Sequence, residues 1–89
     1  MQVRAIIHGR VQGVFYRAWT QQQAHDLELK GWVRNLEDGN VELLAQGEKE
    51  PLEQLLRLCQ KGPPAAQVEK VTTEWLDEDA DYKDFSIVR

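Results

Sequence analysis

Cysteine is nearly missing from this chain. Cys59 stands alone among 89 residues, which excludes an internal disulfide and points to a reduced, cytoplasmic compartment. Histidine is almost as scarce: His8 and His25, with Cys59, are too few for a zinc site of the usual Cys/His type. No apolar run approaches the roughly 20 residues of a membrane-spanning helix, so no membrane partner is expected. Met1-Gln2-Val3-Arg4 leads straight into a strand-like pattern, without the basic leader, apolar stretch and cleavage site of a secretory signal. Internal repeats, linkers and low-complexity tracts are also missing. The length admits one domain, expected over residues 1–89. A chain this size buries about 60–65% of its unfolded surface, enough for one modest core. With 42% hydrophobic and 29% charged positions, the composition is that of a folded globule.

An excess of basic charge is lacking too. The net charge is −4, which argues against broad nucleic-acid binding, since that needs a basic stripe. The charge is unevenly placed. Residues 1–35 carry five basic against two acidic side chains, net +3, and residues 36–89 carry six against thirteen, net −7. Such a distribution suits a small anion held near the first half of the chain, and equally a solvated surface with chance asymmetry.

What is present is a clear succession of elements. Val3 to His8 alternates weakly and reads as a central strand, with Ile6 making its second face partly apolar. Gly9-Arg10-Val11-Gln12-Gly13 reads as a loop. A helix follows from about Val14 or Phe15 to Leu27, with Tyr16, Thr20, Ala24 and Leu27 on one stripe. Gly31 to Leu36 is a strand, Glu37-Asp38-Gly39-Asn40 a hairpin turn, and Val41 to Gln46 the returning strand. Pro51 to Lys61 is the plainest helix: Leu52, Leu55, Leu56 and Cys59 fall at i, i+3, i+4 and i+7, and Gly62-Pro63-Pro64 stops it. Val68 to Trp75 is a fourth strand, Leu76 to Asp84 an acidic loop, and Phe85 to Val88 a short last strand. The order is the split βαβ pattern: an α+β fold, βαββαβ, with an antiparallel sheet, two helices on one face and a short extra C-terminal strand.

A glycine-containing loop between a strand and a helix N-terminus can hold an anion, through free N–H groups and the helix dipole. Here the loop is Gly9-Arg10-Val11-Gln12-Gly13-Val14-Phe15, and Arg17 falls in the first helical turn, able to reach back and grip phosphate with two parallel hydrogen bonds. It is neither a Walker loop nor a dinucleotide fingerprint, because the glycines are too close and no Lys-Ser or Lys-Thr follows. Taken alone, such a loop is more often a tight turn with a surface arginine.

The run Gly9-Arg10-Val11-Gln12-Gly13-Val14-Phe15-Tyr16-Arg17, with Gly31-Trp32-Val33-Arg34-Asn35 and Asp38-Gly39 further on, strongly resembles the acylphosphatase family. The resemblance continues through Val41-Glu42, Gly47, Gly62-Pro63 and Phe85-Ser86-Ile87, over essentially the whole chain. It implies a ferredoxin-like sandwich and metal-independent hydrolysis of an acyl phosphate to carboxylate and phosphate, with no cofactor. By the resemblance, Arg17 holds the phosphate, the backbone of Val11, Gln12, Gly13, Val14 and Phe15 cradles its oxygens, and Asn35 positions the attacking water. The expected partners are a small-molecule acyl phosphate and inorganic phosphate, for a monomer. An alternative is a non-catalytic anion- or RNA-binding module on the same fold. RNA would require exposed strand aromatics with basic neighbours, and a mere phosphate sensor has no use for Asn35.

One departure stands out. The family usually has Leu-Gly-Leu after the first helix, where this chain has Leu27-Glu28-Leu29. Glu28 in a left-handed cap costs on the order of 1 kcal/mol; otherwise the helix end must be rearranged. The remaining candidates have plainer readings. His8 and His25 are expected to be structural or solvated, Trp19, Trp32 and Trp75 packing groups, Cys59 a packed thiol, and Asp77-Glu78-Asp79-Ala80-Asp81 a solvated loop, lacking the Gly and Glu of a calcium loop. Arg10 and Arg34 either steer anions or solubilise their strands.

Overall fold

The computed structural model describes residues 1–88; Arg89, the last residue of the expected unit, lies outside the described residues. The elements run β1 (Gln2–Arg10), α1 (Tyr16–Asp26), β2 (Lys30–Asn35), β3 (Val41–Gln46), α2 (Lys49–Lys61), β4 (Gln67–Leu76) and β5 (Phe85–Ile87). They form a five-stranded sheet in the order β4-β1-β3-β2-β5. The ladders of β1 with β3, β1 with β4 and β2 with β3 are antiparallel. The short β5 joins β2 in parallel, so the complete sheet is mixed around an antiparallel ferredoxin-like core.

Strand alternation decides which side of the sheet is dry. Val3, Ala5 and Ile7 of β1, Val33 of β2, and Val41, Leu43 and Ala45 of β3 are buried in one cluster with Tyr16 and Ala24 of α1 and Leu52, Leu55 and Cys59 of α2. Both helices therefore cover that face. Full burial of each large side chain contributes about 1.5–3 kcal/mol. The helix α2 begins at Lys49, two residues before the expected start. Pro51 still sits in the first turn, where its missing N–H has no intrahelical acceptor to lose.

The other face is polar, but not simply solvated. Glu42, on the side of β3 away from the helices, is 1% exposed. Arg4 from β1 and Arg34 from β2 close over its carboxylate, their Nε atoms donating at 2.6 and 2.7 Å. The Arg34 guanidinium also lies 5.2 Å from the Trp32 ring centroid.

Two local features differ from, or decide, the reading of the sequence. Gly9 and Arg10 belong to β1, not to the loop, because they pair with Val68 and Gln67 of β4 after a register shift at His8/Gly9. Glycine is required at that bulge: φ is +130° and a Cβ would lie 2.2 Å from the Gln67 carbonyl oxygen. At the end of α1, Glu28 does adopt the left-handed conformation, with φ 58°. Its N–H donates to the His25 carbonyl at 3.0 Å and that of Leu29 to the Ala24 carbonyl at 2.8 Å. These are the two bonds of a Schellman cap, so the helix end is retained without the glycine.

Candidate active site

The loop between β1 and α1 spans residues 11–15. Val11 anchors it by burying its side chain in the core. Beyond Val11 the backbone alternates. Gly13 has φ 74° and Phe15 has φ 62°, whereas Gln12 and Val14 are not in the positive range. Alternation of this kind turns successive N–H groups toward one concave side, forming an anion-binding nest. Among the described residues, none of the amides of Gln12, Gly13, Val14 and Phe15 donates a hydrogen bond. The first turn of α1 extends this array. It has no side-chain cap and no acidic residue, and its first main-chain bond is from Trp19 N–H to the Phe15 carbonyl at 2.9 Å. A helix start left bare in this way presents donors and positive potential to an anion.

Arg17 lies in that first turn and is half-buried. Its neighbour Tyr16 fixes the turn to the body of the protein, being 1% exposed. Arg4 and Arg34 are ion-paired with Glu42, whereas Arg17 has no carboxylate partner among the described residues. Arg34 thus belongs to the opposite face of the sheet, where it holds Glu42. Arg10 is exposed at the end of β1.

Asn35 is the last residue of β2. By strand alternation it lies on the same side as the buried Val33, the side covered by α1. Ile7, Val41 and Asn35 form one row across β1, β3 and β2. The loop leaves β1 three residues after Ile7, so Asn35 and the loop occupy the same end of the sheet. A direct tie joins them. The Gln12 side-chain amide donates to the carbonyl oxygens of Leu36 and Asn40, both at 2.8 Å. The expected residues are therefore gathered at one sheet end: residues 11–15, Arg17 and Asn35. Gly13 marked the loop in the sequence; the contacts of the Gln12 side chain had no local trace there.

Other candidates fall elsewhere. His25 faces Asp84 at 3.0 Å. His8 contacts Thr72 at 3.3 Å and the Asn40 amide at 3.2 Å. Cys59 is fully buried, and burial pushes its thiol up to about 12. Trp19 tilts against Tyr16 at 5.4 Å, and Trp75 is 39% exposed on β4. A cleft of about 470 Å³ lined by residues including Met1, Lys30, Gln46 and Asp79 lies at the opposite end of the strands. There the N-terminal ammonium pairs with Asp79 at 2.5 Å.

Comparison with known proteins agrees with this fold. The acylphosphatase family model matches residues 3–87. An acylphosphatase of Pelotomaculum thermopropionicum is 42% identical over 86 residues, covering 97% of this chain and 94% of the relative. The crystal structure of acylphosphatase from Bacillus subtilis superposes with a TM-score of 0.97 at 36% identity, over 99% of this chain and 98% of that one. An acylphosphatase structure from Coxiella burnetii gives 0.93 at 39% identity, over 98% and 90% of the two chains.

Proposed function

The chain belongs to the acylphosphatase family, and from that premise we propose that its β1–α1 loop, Arg17 and Asn35 together hydrolyse the carboxyl–phosphate bond of acyl phosphates. The observation that carries the reading is the run of unpartnered amides from Gln12 to Phe15, continued by the bare first turn that holds Arg17. A phosphoryl group fits such a cradle: three charged oxygens, a concave set of donors and one guanidinium able to bond two of them.

The chemistry asks little more. Water attacks phosphorus while the bond from phosphorus to the acyl oxygen breaks, and its electron pair leaves with the carboxylate. One water proton passes to a phosphoryl oxygen, so an acyl phosphate dianion and water give a carboxylate and dihydrogen phosphate. The leaving carboxylate has a conjugate acid of pKa about 4, and it departs without protonation by the enzyme. Rate enhancement then rests on positioning and on stabilising charge at the equatorial oxygens. Arg17 and the loop amides supply the second. Asn35 supplies the first, orienting water through a neutral amide that does not repel the dianion. The reading includes a cytoplasmic monomer acting on small molecules.

The test is release of phosphate from a simple aliphatic or aromatic acyl phosphate, with and without chelator. The expected result is a chelator-insensitive rate inhibited competitively by inorganic phosphate. Phosphate binding with no turnover would instead identify an anion-binding module.

A further inference from the structure

We propose that the Gln12 side chain is a positioning residue that locks the phosphate cradle to the strand end carrying Asn35, and that its effect appears in turnover and not in phosphate affinity. This rests on the reading of the site given above.

A glutamine amide has two N–H donors, and here both are used, on Leu36 O and Asn40 O at 2.8 Å each. The two acceptors bracket Asn35. Leu36 follows it in the chain, and Asn40 precedes Val41, its register partner across the hairpin. Neither bond displaces one that the turn needs. Asn40 O already accepts from Leu36 N–H at 2.8 Å, and Leu36 O from Gly39 N–H at 3.3 Å. A carbonyl oxygen has two lone pairs, so Gln12 takes the remaining acceptor capacity of each. The tether spans 24 and 28 residues of sequence, joining segments that the backbone leaves unconnected. Since the loop amides make no hydrogen bond to the described residues, this side chain is the polar link between cradle and hairpin.

The consequence divides binding from chemistry. Phosphate contacts lie within the loop and the first turn of α1, and they move as one unit with that segment. Attack also needs water held by Asn35 in line with the breaking bond, which depends on where the hairpin stands relative to the loop. A displacement of about 1 Å between such groups can cost on the order of 100-fold in rate. Only a side chain with two donors and this length serves: glutamate has no donor, and methionine keeps the shape without the bonds.

The experiment is a double-mutant cycle of Gln12→Met and Asn35→Ala, reading kcat and KM on a simple acyl phosphate and the competitive Ki of inorganic phosphate. Gln12→Met is expected to lower kcat by about 10- to 100-fold while the phosphate Ki stays within about threefold. In the Asn35→Ala background the same replacement should change kcat by less than about threefold. Equal losses in both backgrounds, or a loss confined to the phosphate Ki, overturn the proposal. Failure of the underlying reading is separately visible: Asn35→Ala would then keep the parent kcat, and the coupling falls with it. Should Gln12→Met not fold, Gln12→Asn, whose donors sit on a shorter stem, carries the same cycle.

Discussion

The hydroxyl of Tyr16 donates to the main-chain carbonyl of Cys59 at 2.6 Å, so the residue beside Arg17 closes the far end of the second helix. The partner that Cys59 O would have in a continuing helix is the N–H of residue 63, which is proline and has none. Tyr16 fills that gap and at the same time fixes the first turn of α1 against α2.

Tyr16→Phe keeps the ring and leaves the carbonyl orphaned. We expect a loss of about 1 kcal/mol, seen as a Tm lower by about 4–8 °C. Because the ring still anchors the turn, kcat/KM on an acyl phosphate should change less than about threefold. Thermal denaturation paired with the activity assay checks both parts.

The same pair makes the fold sensitive to alkali. Burial holds the Cys59 thiol up at about 12 from an ordinary 9.0, and burial likewise holds the Tyr16 phenol above the tyrosine range. Between pH 9 and 12 the folded state keeps a thiol proton that the unfolded chain has lost. Stability is then fully present below pH 9 and falls as pH rises, by at most about 1.4 kcal/mol per pH unit for the thiol. Urea unfolding at pH 8 and pH 11 should show the decline, and it should be shallower in Cys59→Ala. A stability that rose with pH over that window would contradict the burial of both groups.

Arg17→Ala removes the guanidinium proposed to grip the phosphate. Turnover is expected to fall by about 1,000-fold or more, with phosphate binding weakened beyond ready measurement. Arg17→Lys should recover little, since an ammonium cannot make two parallel bonds to a phosphoryl group. Titration of each variant with inorganic phosphate decides the matter, and unchanged affinity in Arg17→Ala would refute the assignment.

Asn35→Ala should separate the two halves of the site. The amide is assigned to the water, so kcat should drop by about 100-fold while the phosphate Ki stays within about threefold. Steady-state kinetics with phosphate as competitive inhibitor measures both. A variant losing affinity and keeping kcat would place Asn35 on the phosphate.

Much of this arrangement could be read from local sequence, because it is locally determined. Gly13 of the loop, the Asp38-Gly39 turn and the Leu52/Leu55/Cys59 stripe each announce themselves within a few residues. What stayed hidden depends on partners far along the chain. The bulge at Gly9 exists because Gln67 and Val68 pair with the end of β1. Glu42 looks solvated in an alternating strand, yet arginines from two other strands bury it. Gln12 looked like one more backbone donor until its side chain met carbonyls 24 and 28 residues away. In each case a register or a fold had to exist before the contact could.

Glu28 offers a change that should improve the fold without touching the site. It holds φ 58°, a conformation that costs a residue with a Cβ about 1 kcal/mol, and its exposed side chain makes no hydrogen bond among the described residues. The Schellman bonds of Glu28 and Leu29 are made by main-chain atoms, so they survive replacement. Glu28→Gly removes the strain, and part of that gain is offset by the greater freedom of glycine in the unfolded chain. The net expectation is a stabilisation of about 0.5 kcal/mol, a Tm higher by about 2–4 °C, and unchanged kcat and KM. Glu28→Ala is the control, since it removes the same carboxylate and keeps the Cβ. If alanine stabilised as much as glycine, the benefit would come from charge and not from backbone strain.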